Sequence, residues 1–536
     1  MNRLLQDWLI QSADRTPDSP AIVFKGESTS YAALEEASNR LARALRDGGC
    51  TRGDRVALLL PKSPEALTAM FAALKADCIY VPLDTSSPAE RLGRILSVCE
   101  PSCILAVEST AAALESLMPF AGNAWTGFLD RPGGKHAPAR FRGIDLDSFC
   151  GARVESQNRE DDAAHILFTS GSTGVPKGVV ITHSNVLHFV DWALRYFGIR
   201  ASDRISGHPP LHFDLSTFDI YGTVAAGAQL HLLTPEMSLL PHRLAEFIRA
   251  AELTQWFSVP SILNHMARTD ALRENDFPAL ERLLWCGEKF PTPGLIYWMR
   301  RVPHARFVNL YGPTEATIAS SYYHVAQCPL DETAEIPIGG PCGGELLLVL
   351  DDQLRPAPVN QIGDLYIGGA GLSPGYWRDP EKTRQVFLQN PFTASPSGRI
   401  YRTGDLARIG LDGMIYLVGR SDTQIKSRGY RIELGEIETA IHTIPGVEDA
   451  AVVAVDGGEL AGLDICCAYV PAAGFDLTPK KLRQRLTRAL PSYMIPSRWM
   501  ELDRLPLNGN GKIARPLLKQ QFQNETVAAV SGGRDA

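Results

Sequence analysis

The sequence predicts an α/β protein with a large N-terminal domain of doubly wound α/β layers, a β-rich subdomain and a small α+β C-terminal domain. Three observations carry that prediction. Strand-like and helix-like segments alternate over residues 31–107, the order that builds a parallel sheet with helices on its faces. Between 345 and 368 the pattern changes to short strands punctuated by Gly and Pro. At 536 residues the chain exceeds what one hydrophobic core supports, so a large unit plus a smaller one is expected.

Taken in order, residues 31–45 place apolar side chains at helical spacing, and Arg55-Val56-Ala57-Leu58-Leu59-Leu60 is an apolar run fit for a buried strand. Residues 69–75 read as helix, 79–83 as strand, 88–98 as helix and 103–107 as strand. Arg131-Pro132-Gly133-Gly134-Lys135-His136 is a breaker cluster expected in a surface excursion. Short strands follow at 345–350 and 364–368. A charged segment after Gly419-Arg420-Ser421-Asp422 leads into a helix at 436–444 and a strand at 450–455. The expected divisions are a core domain over 1–420, a junction at 421–422, a C-terminal domain over 423–520 and a polar tail over 521–536 that frays.

Hydrophobic residues make up 45% of the chain and charged ones 21%, which excludes a disordered or fibrous class and allows a substantial core. A formal net charge of -7 offers no global attraction to nucleic acid. No stretch approaches the length of a membrane span, and the N-terminal Leu4-Leu5-Gln6-Asp7-Trp8-Leu9-Ile10 lacks the pattern of a signal peptide. The ten cysteines are scattered without zinc-site spacing, as expected of buried free thiols in a reducing compartment. The expectation is a cytoplasmic protein with neither nucleic-acid nor membrane partners.

The most telling segment is Phe168-Thr169-Ser170-Gly171-Ser172-Thr173-Gly174-Val175-Pro176-Lys177-Gly178. Its glycines let backbone N–H groups close on an anion, its hydroxyls add donors and Lys177 adds charge, all of which suit phosphate. The spacing is not that of a P-loop. Further along stand Asn309-Leu310-Tyr311-Gly312-Pro313-Thr314-Glu315-Ala316-Thr317, Tyr401-Arg402-Thr403-Gly404-Asp405, Gly419-Arg420-Ser421-Asp422, Lys426-Ser427-Arg428-Gly429-Tyr430-Arg431-Ile432-Glu433 and Asn508-Gly509-Asn510-Gly511-Lys512. In this order, and over nearly the whole chain, they resemble the adenylate-forming superfamily, specifically the amino-acid adenylation enzymes of nonribosomal peptide and D-alanyl-carrier systems.

That resemblance implies ATP and Mg²⁺ as cofactors and a role for each motif. Thr169, Ser170, Gly171, Ser172, Thr173, Gly174 and Lys177 would hold the β- and γ-phosphates. Thr314 would donate to the α-phosphate, Glu315 would hold Mg²⁺, Tyr311 would stack on adenine, and Asn309 and Gly312 would also belong to the nucleotide site. Asp405 would accept from the ribose hydroxyls with Arg420 assisting, and Lys512 would bridge the substrate carboxylate and the α-phosphate. In the family the C-terminal domain is mobile and turns about a hinge, here Asp422, which would bring Lys426, Gly429 and Tyr430 to the site for attack by a phosphopantetheine thiol.

The same resemblance carries over a substrate pocket. Asp214 would pair with the substrate ammonium, and Leu215, Phe218, Ser258, Leu284, Cys286, Leu310, Ile318 and Ala319 would line the wall, with Lys512 completing the set. Apart from Asp214 and Lys512 this lining carries no charge, so a small neutral amino acid is implied. Alanine fits best, with 2-aminobutyrate, serine, cysteine, glycine and proline close behind. Leu284-Trp285-Cys286-Gly287-Glu288 with Asp214-Leu215 and Ala319 resembles the D-alanine-activating ligases, whereas Phe218 and Leu310 depart from them, so chirality stays open. Asp77 replaces a usual glycine and Ser373-Pro374 a frequent Ala-Arg; neither position is expected to touch the chemistry. No carrier segment is recognised, so a carrier protein acting in trans is expected. An acyl- or aryl-CoA ligase is the alternative, disfavoured by Asp214 because an apolar acid has no ammonium.

Overall fold

The computed structural model describes residues 3–130, 143–171, 174–393, 395, 398–456, 463–508 and 512–531. The expected breaker cluster at 131–136, together with Ser172, Thr173 and the glycines of Asn508-Gly509-Asn510-Gly511-Lys512, lies outside the described residues. Two compact units emerge. The larger comprises Met1–Thr85, Ile95–Phe168 and Gly178–Ser421; the smaller comprises Ser86–Arg94, Thr169–Lys177 and Asp422–Ala536. The segments Ser86–Arg94 and Thr169–Lys177 thus group with the C-terminal residues, where the sequence places them in the core domain.

In the larger unit, a seven-stranded sheet contains the parallel strands Arg55–Leu59, Ile79–Pro82, Cys103–Ala106 and Trp125–Phe128. Near-continuous apolar runs make these strands, because a parallel sheet is covered on both faces. Of the helices around them, Tyr31–Asp47 starts at a Ser30 cap whose hydroxyl accepts from the Ala33 N–H, and Pro64–Lys75, buried over most of its surface, starts at a Ser63 cap with proline in its first turn. A second sheet has nine strands, and its parallel centre runs through Gln229–Leu232, Arg204–Gly207, Gln255–Ser258, Arg282–Trp285 and Arg306–Tyr311. A five-stranded sheet built on Glu345–Leu350, Gly363–Gly369 and Arg399–Ile409 is the β-rich subdomain.

Asp77, expected to stand clear of the chemistry, has a structural task. It holds φ at +61°, the left-handed region that glycine adopts without strain. Its carboxylate accepts from the backbone of Gln157 and Asn158 and pairs with Arg46 at 2.9 Å, which ties the 156–158 segment to the helix Tyr31–Asp47. Those bonds, with the Ser156 hydroxyl, offset the backbone cost.

The smaller unit pairs the strands Val447–Asp456, Leu463–Pro471 and Arg498–Glu501 and packs the helices Leu434–His442 and Pro479–Leu486 against them. Its last helix, Arg515–Ser531, passes through the point where the sequence suggests a fraying tail. Leu518 and Phe522 are buried against the sheet and give the helix an anchor the local composition hides. All ten cysteines are free, and among the described residues no helix is long and apolar enough to cross a membrane.

Candidate active site

Ser258, Cys286 and Asn309–Tyr311 of the larger unit lie at or just past the C-terminal ends of parallel strands, where α/β sheets commonly bind ligands, whereas Asp405 and Arg420 lie on antiparallel strands. Strand Arg306–Tyr311 delivers Asn309, Leu310 and Tyr311 and then turns through Gly312 and Pro313 into the short 3-10 helix Thr314–Ala316. Gly312 is required by close approach: a Cβ there would meet the Cα of Ala319 at 2.6 Å. Thr317 and Ile318 both hold positive φ, +57° and +70°, so this loop is strained at β-branched residues just past Ala316.

The nucleotide-side groups form one hydrogen-bonded set. Asp405 and Arg420 face each other across paired strands, with Arg420 Nη1 donating to Asp405 Oδ1 at 2.6 Å. The Tyr311 hydroxyl donates to the other oxygen, Oδ2, at 2.5 Å, and the Thr403 hydroxyl accepts from the Asp405 N–H. Burial, and then the neighbouring Asp405 charge, push the Tyr311 hydroxyl well above its ordinary pKa, so it stays a donor. Asn309 donates its side-chain amide to the Pro337 carbonyl at 2.8 Å, which gives it a structural role in shaping the strand end.

Glu315 is fully buried and is oriented by Tyr376, whose hydroxyl donates to Oε1 at 2.7 Å. The Ser373 N–H donates to the Glu315 carbonyl at 2.9 Å, and the Ser373 hydroxyl donates to the Val180 carbonyl at 2.7 Å. Ser373 thus braces the backbone of Glu315 without contacting its carboxylate. Among the described residues no group of three or more His, Cys, Asp or Glu could hold a metal ion. The single buried carboxylate of Glu315 would suit Mg²⁺ were nucleotide phosphates bound beside it, because that ion takes one or two protein carboxylates and leaves its remaining positions to phosphate and water.

Asp214 opens the helix Asp214–Ala226, whose N-terminus favours a carboxylate. Leu215 and Phe218 follow on the same helix, Ser258 ends the strand Gln255–Ser258, Leu284 lies in Arg282–Trp285 and Cys286 follows it. Leu215, Phe218, Ser258, Leu284, Cys286, Leu310, Ile318 and Ala319 are all buried in this unit. Phe218 sits in an aromatic cluster, edge-to-face with Phe189 at 5.4 Å and Phe257 at 5.9 Å. The sequence offers no signal for that cluster beyond scattered aromatics.

In the smaller unit, the loop after Thr169 turns back on itself. Gly174 has φ +79° and its N–H donates to the Gly171 carbonyl, while a Cβ on Gly171 would meet the Val175 carbonyl oxygen at 2.0 Å. Thr169 Oγ1 is buried without a hydrogen-bond partner, an orphaned donor that phosphate would satisfy, and the Ser170 hydroxyl donates to the Arg431 carbonyl. Lys177 starts the strand Lys177–Thr182. Arg428 and Gly429 both have positive φ in the hairpin joining Gln424–Ser427 to Tyr430–Glu433, as in a type I′ turn. Lys426 lies on its first strand, Tyr430 stacks on Tyr493, and Asp422 accepts from the Gln424 N–H. Lys512 is exposed, with its N–H held by Asn508 Oδ1.

Comparison with known proteins agrees with this architecture. Residues 9–377 match the family described as AMP-binding enzyme, and 436–512 match the AMP-binding enzyme C-terminal domain. Tyrocidine synthase 3 from Brevibacillus parabrevis is 33% identical over 98% of this chain, and the chain spans 8% of that relative's length. The Vibrio cholerae adenylation domain AlmE, solved with glycyl-adenosine-5'-phosphate, shares the fold with a TM-score of 0.84 at 24% identity, covering 98% of both chains. NpsA-ThdA, an artificially fused adenylation-PCP di-domain from Klebsiella oxytoca, has a TM-score of 0.76 at 25% identity, covering 93% of this chain and 94% of that one. The chain belongs to the AMP-binding enzyme family, with the family's C-terminal domain following its main domain.

Proposed function

We propose that the protein activates a small neutral amino acid, alanine foremost, as its aminoacyl-adenylate and then transfers the aminoacyl group to the phosphopantetheine thiol of a carrier protein. One observation carries this reading: Asp214, at the start of a helix, is the one carboxylate in a set of candidate pocket residues that is uncharged apart from it and Lys512. An ammonium would be matched there, while a charged substrate side chain would have no counterpart. The fused adenylation-PCP protein among the similar structures supports a carrier as acceptor.

In the first step a substrate carboxylate oxygen attacks the α-phosphorus, the bond to the β-phosphate breaks and pyrophosphate leaves. Thr314 donates to the α-phosphate and Lys512 supplies an ammonium to the charge that develops there, a contribution greatest in the transition state. Asp405, set by Arg420 and Tyr311, receives the ribose hydroxyls, and the Thr169, Ser170, Gly171, Gly174 and Lys177 loop takes the departing phosphates. Mg²⁺, when bound at Glu315, supplies charge neutralisation. In the second step the carrier thiolate attacks the acyl carbon, a thioester forms and AMP leaves, with Lys426, Gly429 and Tyr430 as the residues proposed to border the thiol and Asp422 as the hinge.

Amino-acid-dependent ATP–pyrophosphate exchange over a panel of free amino acids, with both alanine enantiomers and proline, tests the proposal. Exchange stimulated by alanine or a similarly small neutral amino acid is expected. Exchange stimulated only by carboxylic acids without an amine would overturn it in favour of a CoA-ligase activity.

A further inference from the structure

The strained backbone at Thr317 and Ile318 needs something to hold it, because neither side chain favours positive φ. Its supports are specific. The Thr317 hydroxyl donates to the Gly371 carbonyl at 2.7 Å, and the Gly371 N–H donates to Glu345 Oε1 at 2.9 Å. On the other side of the loop, the Glu345 N–H donates to the Cys342 carbonyl and the Cys342 N–H to the Ser320 carbonyl at 2.8 Å. Glu345 is thus tied to both flanks of the segment that carries Ile318 and Ala319.

Glu345 is itself an anomaly. Its side chain is 3% exposed, and Oε2 is buried and accepts no hydrogen bond. A buried carboxylate with an unfilled acceptor calls for a cation. His188 Nε2, on the helix His183–Phe197, lies 3.3 Å from Glu345 Oε1. The approach depends on Gly344, where φ is +84° and a Cβ would stand 2.4 Å from His188 Cε1. His188, Glu345, Gly371 and Thr317 border a narrow crevice whose wall includes Ala319 and Phe189, and Phe189 packs edge-to-face on Phe218.

We propose that the His188–Glu345 pair is a positioning element for amino-acid selection, bracing the Thr317–Ala319 backbone so that Ile318 and Ala319 present a fixed inner wall to the substrate side chain. This rests on the reading that Ile318 and Ala319 line the pocket. Glu345 acts through Gly371 and Thr317, and His188 acts by holding the Glu345 charge. The Glu345 carboxylate, 3.3 Å away, raises the His188 pKa against the opposing effect of burial. The other groups facing His188 are the Gly343 backbone, the Asp191 carboxylate, which is paired with Arg3, and Cys342 across the crevice. The imidazolium is present below that raised pKa and lost above it, so the brace slackens as pH rises through the His188 titration.

The test is ATP–pyrophosphate exchange with wild type, Glu345→Ala, Glu345→Gln, His188→Gln and, separately, Ala319→Val. Glu345→Ala is expected to raise the amino-acid KM about ten-fold while the ATP KM moves less than about two-fold, the pattern of lost ground-state positioning. Glu345→Gln, which keeps an acceptor for Gly371, is expected to restore part of the loss. Wild-type amino-acid KM should climb above the ordinary histidine pKa, and His188→Gln should abolish that climb. Should Glu345→Ala fail to fold, the pH profile of His188→Gln, whose wild-type side chain is 26% exposed, decides the matter. Unchanged amino-acid KM and pH profile in these variants, or an equal rise in ATP KM, would overturn the proposal. Ala319→Val isolates the underlying reading: if it leaves the amino-acid ranking intact, position 319 does not line the pocket, whereas a shifted ranking with silent Glu345 and His188 variants defeats the brace alone.

Discussion

Replacing Phe218 separates pocket volume from fold stability. The side chain is 1% exposed and its ring packs against Phe189, Phe197 and Phe257. Its edge also lies close to Gly222, where a Cβ would meet the ring at 3.0 Å. Truncation to alanine would open a cavity in this cluster and cost roughly 3 to 5 kcal/mol of stability, enough to confuse an activity assay. Phe218→Leu keeps an apolar branch against Phe257 and should cost about 1 to 2 kcal/mol. If the ring limits the pocket, the freed space should favour longer guests by roughly 0.8 kcal/mol, about four-fold, for each methylene accommodated. Pyrophosphate exchange with alanine, 2-aminobutyrate, norvaline and leucine, on wild type and on a variant shown by thermal unfolding to be folded, measures the shift. Alanine should lose ground and norvaline gain it. An unchanged ranking in the folded variant would mean that Phe218 serves only the aromatic core, and its place in the pocket would be abandoned.

Other perturbations follow from the same geometry. Lys512→Ala should lower adenylate formation by orders of magnitude with little change in unfolding temperature, since the residue is exposed; near-normal pyrophosphate exchange would refute its role. Asp214→Ala should weaken amino-acid activation by about 3 to 5 kcal/mol while ATP binding holds, and equal amino-acid affinity in the two proteins would count against the ammonium contact. Asp405→Asn should raise the KM for ATP by about ten-fold because Arg420 and Tyr311 lose the charge they orient; discrimination between ATP and 2'-deoxy-ATP is the readout, and undiminished discrimination would show that Asp405 does not bind ribose. Burial lowers the pKa of His165 to about 3 and of His183 to about 4. Between those values and about 6.5 the unfolded chain binds protons that the fold excludes, so stability should fall as pH drops from about 6.5 toward 4. Urea midpoints at neutral and mildly acidic pH report this, and His183→Asn should flatten the dependence; an identical slope in the variant would remove His183 as a cause.

Much of this protein is legible in the sequence because the determinants are local. Apolar runs such as Arg55–Leu59 and Ile79–Pro82 mark buried parallel strands wherever they sit, and the Ser30 and Ser63 caps start their helices through bonds spanning only a few residues. The motif loops are local too. The glycines at 171 and 174 announce a tight loop, and Gly174 indeed holds positive φ.

Tertiary structure alone decided which distant groups meet. Nothing near Asp405 in sequence announces that Tyr311 will donate to it, nor that Tyr376 and Ser373 will hold Glu315. Composition at 521–536 suggests a loose tail, yet Phe522 finds the C-terminal sheet and the chain stays helical to Ser531. Asp77 looks like a misplaced charge until Gln157, Asn158 and Arg46 surround it. The Glu345 carboxylate is likewise unremarked in its strand until folding brings it beside Gly371 and His188. The physical reason is common to all of them. Hydrophobic periodicity records whether a residue is buried, whereas the pKa, strain and role of a buried polar group depend on partners that only the packing of remote segments supplies.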